Sequence, residues 1–143
     1  MLYKLKENKS LKTKKSNIEL IYNCPIQLTE IFKEDKNIAI WNRKLTNQLI
    51  KSSQYVIKTN PNLEFSKIVH KSNLEKILLS EFGSNNKEKI FIDDVCILVN
   101  YFFNLFKIEK VWLRLDGINR PMCPNFHTDD VKCRMVTTYI GPG

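Results

Sequence analysis

His127 and Asp129 stand two residues apart in the segment Pro121 to Gly143, which reads Met-Cys-Pro-Asn-Phe-His-Thr-Asp and then an alternating stretch. On an extended strand, side chains two apart share a face and lie about 6 to 7 Å apart. An imidazole nitrogen and a carboxylate oxygen each bond a divalent cation at about 2.1 Å, so both can reach one ion. Such a pair supplies two corners of the two-His, one-carboxylate set that binds non-haem Fe(II), with a distal His as the third. The segment therefore reads as the functional centre and His127 with Asp129 as metal ligands.

Other residues nearby offer other chemistry. Cys123 stands four residues before His127 and serves as a further ligand or a neighbouring thiol. A closed tetrahedral zinc site from Cys123, His127, Asp129 and Cys133 meets a geometric objection: on an extended strand Cys133 lies about 13 Å along the chain from Asp129. A nucleophilic Cys123–His127 pair lacks an orienting third group and an oxyanion hole. His70 follows Ile68 and Val69 without a carboxylate or Cys beside it, which suits a structural or surface role. Trp41 and Arg43 suit packing beneath the site or contact with a ligand.

Elements must hold this segment in place. The chain has 143 residues and 43% hydrophobic content, enough for one modest core. Residues 1–17 carry six Lys and little apolar periodicity and read as a basic, disordered leader; residues 18–143 read as a single domain. The sequence predicts a helix around Gln27 to Lys33, a strand Asn37 to Asn42 and a helix from about Leu45 to Ile57, ended by Asn60-Pro61. Ser72 with Glu75 makes a capping-box pattern ahead of Leu74, Ile77, Leu78 and Phe82, with Gly83 as the stop. Phe91, Val95, Leu98, Phe102 and Leu105 form one stripe on a helix from Lys87 to Phe106, with Cys96 and Tyr101 beside it in packing roles.

The period then changes to two. Val111, Leu113 and Leu115 alternate with Trp112, Arg114 and Asp116, and Asp116-Gly117 reads as a turn. Val131 to Ile140 reads as a strand whose one face carries Val131, Cys133, Met135, Thr137 and Tyr139, and whose other carries Lys132, Arg134 and Thr138. Helices first and strands last give an α+β fold, with N-terminal helices packed on an incomplete β-sandwich or double-stranded β-helix (cupin-type) core. Two strands make too little sheet to close over the helices, so the domain is expected to be truncated at its C-terminus and inactive in this form.

Composition removes some function classes. All but four of the 23 basic residues are Lys, scattered rather than interleaved with aromatics, which argues against a nucleic-acid partner despite the net charge of +8. Without a long apolar run or a secretory h-region, the chain is expected to be cytoplasmic and to have no membrane partner. Four cysteines in such a chain are expected to be reduced thiols or ligands.

Asn37-Ile-Ala-Ile-Trp-Asn-Arg43, Arg114-Leu115, Met122-Cys-Pro-Asn-Phe-His-Thr-Asp129 and Arg134-Met-Val-Thr-Thr-Tyr-Ile-Gly-Pro-Gly143 resemble the bacterial family called domain of unknown function 1826. Members of that family continue past Gly-Pro-Gly, usually with Thr-Glu-Trp-Leu and further strands. The resemblance implies a link to zinc-responsive regulation through gene neighbourhood, and no reaction. His127-Thr-Asp129, Arg134 and Tyr139 are also similar to the first half of the core of iron- and 2-oxoglutarate-dependent dioxygenases. That likeness implies Fe(II) and 2-oxoglutarate as cofactors, with Arg134 and Tyr139 on the cofactor side. The alternative it leaves open is a non-enzymatic zinc-handling protein that uses Cys123 with the same pair, or a structural domain without a site.

Overall fold

The computed structural model describes residues 25–118 and 131–141. They fall into two compact units, one built from residues 1–45 and 133–143 and the other from residues 46–132. Each is taken by itself.

Among the described residues, the α-helices and β-strands lie in the larger unit. Helix α1 spans Asn47–Thr59, strand β1 Glu64–His70, helix α2 Leu74–Phe82, helix α3 Asn86–Phe106 and strand β2 Lys110–Asp116. Strands β1 and β2 pair antiparallel from Glu64 opposite Asp116 to His70 opposite Lys110. Both strands and the helices belong to one α+β arrangement. Among the described residues the sheet has two strands, and the expected sandwich or double-stranded β-helix core is not among them.

Helix α1 starts where Thr46, in extended conformation, accepts the Leu49 N–H on its Oγ1 at 3.2 Å. That side chain satisfies one of the donors a helix leaves unpaired at its first turn. Helix α2 departs from the sequence expectation: its N-cap is Asn73, not Ser72, and no side chain caps it. The reason lies in the turn from β1, where the His70 N–H donates to Asn73 Oδ1 at 2.9 Å and the Asn73 N–H returns to the His70 carbonyl at 3.0 Å. That reciprocal pair starts the helix one residue later. Gly83 ends it as expected, at φ 99° and ψ 172°, a conformation open essentially to glycine.

Helix α3 supplies the middle of the core. It buries Phe91, Ile92, Val95, Leu98, Val99 and Phe103 and packs against α1, where Leu49 and Val56 are buried, and α2, where Leu74, Leu78 and Phe82 are buried; α2 in turn packs on β1, where Phe65 and Val69 are buried. The buried line therefore passes through Val99 and Phe103 rather than the expected Phe102 and Leu105, because 3.6 residues per turn rotate a long stripe away from a strict repeat. Phe82 sits between Phe65 at 5.8 Å and Phe91 at 6.0 Å, the latter edge to face. Ser52 of α1 locks the two helices: its Oγ donates to the Lys87 carbonyl at 2.5 Å and accepts the Phe91 N–H at 3.0 Å, bracketing one i to i−4 pair of α3.

Strand β2 matches the alternation read from the sequence, whereas β1 was not anticipated. Lys67 falls on the same side as buried Phe65 and Val69 and escapes by carrying its ammonium to the edge, 5.3 Å from the Phe65 ring centroid and 2.7 Å from Glu81 of α2. Gly117 makes no turn. Its N–H donates to the Leu63 carbonyl at 2.9 Å, continuing the ladder, and a Cβ there would stand 2.8 Å from Ile57 Cδ1.

The smaller unit has less regular structure. Its first element is a 3-10 helix, Pro25–Phe32, with Leu28 buried, in place of the expected helix Gln27 to Lys33. Asn37 to Asn42 is not a strand: the Arg43 N–H closes back on the Trp41 carbonyl at 3.1 Å, a turn too tight for ladder pairing, although Ala39 is fully buried. Residues 131–141 also carry no strand. Their expected two-face pattern survives in part, with Cys133, Met135 and Tyr139 half-buried and Lys132, Arg134 and Thr138 exposed, while Val131 and Thr137 are exposed against expectation.

Candidate functional site

Of the residues read from the sequence as functional, Cys123, His127 and Asp129 lie outside the described residues, and Arg134 and Tyr139 lie within them. Arg134 is exposed. Tyr139 is half-buried and meets Arg43: the guanidinium carbon stands 5.6 Å from the Tyr139 ring centroid and 5.6 Å from that of Trp41. A guanidinium at that range from an aromatic face is held by the negative charge of the ring's π-cloud.

This three-residue knot has a local cause. The tight closure of Arg43 on Trp41 throws both side chains toward one side of the turn, and the alternation of 133–139 puts Tyr139 on its half-buried side. Arg43 and Tyr139 are 96 positions apart, so no periodicity links them; the signal in the sequence was that both belong to the stretches carrying the family resemblance. Arg43 presents a planar fork suited to a carboxylate. The reading of Trp41 and Arg43 as residues beneath a site or on a ligand had no partner for them, and Tyr139 is that partner.

The larger unit offers a shallow groove of about 470 Å³ along α3, lined by Glu75, Asp93, Cys96, Ile97, Tyr101 and Asn104 among others. Lys89 bridges its acidic end, to Asp93 at 2.5 Å and to Glu75 at 3.0 Å. Those two hydrogen bonds, Asp93 first, hold the Lys89 ammonium well above the usual lysine range. Burial, helped by the Glu75 and Asp93 charges, pushes the Cys96 thiol up to about 11, the opposite of what a nucleophilic cysteine needs. Cys96 is thus a packing residue, as expected from its place beside the helix stripe. His70 stands exposed at the end of β1, in keeping with a surface role. Among the described residues no three His, Cys, Asp or Glu side chains converge as metal ligands.

Residues 23–143 match the model of a family described as protein of unknown function (DUF1826). The chain belongs to this family. The matched span covers the Trp41–Arg43 turn, the His127–Asp129 pair and the Tyr139 stretch alike, so the knot and the His-x-Asp segment are both parts of the family domain. It lends no support to the likeness to iron- and 2-oxoglutarate-dependent dioxygenases. No curated protein and no solved structure matches the chain. Among the described residues, no helix is long and apolar enough to cross a membrane.

Proposed function

We propose that this DUF1826 chain is a divalent-metal-binding domain in which His127 and Asp129 are protein ligands to the ion, and that Arg43, held beside Tyr139, is a carboxylate-binding group of the smaller unit. The observation that carries this reading is the position of Arg43, 5.6 Å from both the Trp41 and Tyr139 rings. It ties the stretch that begins five residues past Asp129 to the Trp-Asn-Arg turn. A rigid, aromatic-held guanidinium loses little entropy on pairing with a carboxylate, which makes it a better anion holder than a free surface Arg. The metal supplies Lewis-acid polarisation of whatever oxygen it binds. The chain's own residues contribute the two ligands, the charge that complements an organic acid, and Arg134 on the exposed side of the same stretch.

Anaerobic titration of the purified full chain with Fe(II) and Zn(II), with and without 2-oxoglutarate, tests the reading. A bound ion, together with 2-oxoglutarate binding that weakens on Arg43→Gln, supports it. Succinate formed from 2-oxoglutarate with Fe(II) and O₂ assigns oxygenase chemistry; Zn(II) binding lost on Cys123→Ser, without turnover, assigns the zinc-handling alternative. Absence of binding to either ion rejects the proposal.

A further inference from the structure

The outward face of the β1–β2 sheet carries two large apolar side chains directly opposite each other, Ile68 and Trp112, exposed at 64% and 71%. Trp112 is not loose. Its indole N–H donates to Ser66 Oγ at 2.8 Å, so the ring lies along the sheet toward the middle of the face instead of projecting into water. Holding so much apolar surface flat and exposed is unfavourable for an isolated molecule, whereas a pre-set ring lowers the ordering cost of covering it.

The polar groups around this pair are segregated end to end. Glu64 and Asp116 face each other across the strands at one end, and His70 and Lys110 at the other. Between them lie the Ser66–Arg114 row and the Ile68–Trp112 row. A two-fold axis running across the strands between those rows reverses the face onto itself. It sets Glu64 over His70, Asp116 over Lys110 and Arg114 over Trp112 of a second copy. Three of the four meetings are favourable, a carboxylate over an imidazole, a carboxylate over an ammonium and a cation over an indole, each repeated twice by the symmetry, while Ser66 falls over Ile68. Within the chain Arg114 also pairs at 2.7 Å with Asp116 of the neighbouring row.

We infer that this sheet face is a self-association surface, and that its occupant is a second copy of this chain packed sheet to sheet about that axis. The inference is independent of the metal reading, since none of the residues on this face is among the proposed ligands. Seven residues at about 3.4 Å and two strands about 4.8 Å apart give a face far below the 800 Å² per partner of a standard interface, so the dimer is weak and concentration-dependent.

Sedimentation equilibrium of the full chain from about 1 μM to about 1 mM reads it. The expected result is a monomer–dimer equilibrium that weakens with added salt. Trp112→Thr, which places a β-branched residue in the strand, removes it. His70 and Glu64 are both exposed, and His70→Glu and Glu64→Lys each remain folded by circular dichroism and weaken self-association by about tenfold or more. Mixed in equal amounts, these two single variants recover association, because the axis sets the new acid at position 70 of one over the new lysine at position 64 of the other. A monomer throughout the range, dimerisation indifferent to Trp112→Thr, or no recovery on mixing overturns the inference.

Discussion

At the scale of single residues, four side chains carry the account. Arg43 and Tyr139 meet at 5.6 Å, and a cation on an aromatic face is worth about 0.5–1 kcal/mol at an exposed site and more when desolvated. A double-mutant cycle with Arg43→Gln and Tyr139→Leu, followed by chemical denaturation, is expected to return a coupling of about 1 kcal/mol; additive effects would mean that the two do not act together. Cys96 is read through its thiol. With its ionisation pushed up to about 11, the thiolate fraction at pH 8 is about a hundredfold below that of an unburied cysteine, and alkylation slows accordingly. Peptide-resolved iodoacetamide labelling should show Cys96 as a slow site whose rate climbs with pH up to about 11. Glu88 is buried in the first turn of α3, and its Oε2 has no hydrogen-bond partner. A carboxylate there gains about 0.5 kcal/mol from the helix N-terminus but forgoes about 1–3 kcal/mol of hydration at the unmet oxygen, so the cost outweighs the gain. Glu88→Gln should therefore raise the unfolding midpoint, and a fall would show the helix-end attraction to be the larger effect.

At the scale of elements, what the sequence disclosed depended on how local the cause was. The helices α1, α2 and α3 follow from 3.6-residue apolar spacing and their stop residues, and they form within two residues of expectation at most ends. Strand β1 was hidden because two of its features break alternation: Lys67 lies on the buried side and leaves through Glu81, and Ile68 is apolar on the outer side to match Trp112. The Asn37–Asn42 stretch looked like a strand for the opposite reason, since its apolar residues alternate while a tight closure at Arg43 forbids pairing. Ser72 shows the same limit, for a capping pattern was present but the Asn73–His70 exchange took precedence. These corrections can be measured. Thr46→Ala, which deletes a cap that accepts a hydrogen bond, should cost about 1 kcal/mol, and Ser72→Ala should be neutral to within about 0.5 kcal/mol. A substantial loss at Ser72 would restore the capping box to that residue.

At the scale of the whole molecule, the family match over residues 23–143 spans both compact units, and each unit holds together by its own means. The larger has an aliphatic and aromatic core around α3; the smaller is stitched by Arg43 between Trp41 and Tyr139. The candidate metal pair was legible in the sequence because His-x-Asp is a local pattern. The charged knot was not, because 96 positions separate its members and nothing local about Tyr139 identifies its partner. Of the candidate residues, the His-x-Asp pair was thus readable by type and spacing, and the structure added the placement of Arg43 beside Trp41 and Tyr139.

The central claim is that His127 and Asp129 bind a divalent ion, and the most direct measurement is competitive metal titration of the full chain, wild type against His127→Ala and Asp129→Ala. The expected result is one Fe(II) or Zn(II) per chain, with each substitution weakening affinity by about tenfold or more while the unfolding midpoint of the metal-free protein stays within about 2 °C. Metal affinity unchanged by both substitutions would contradict the account.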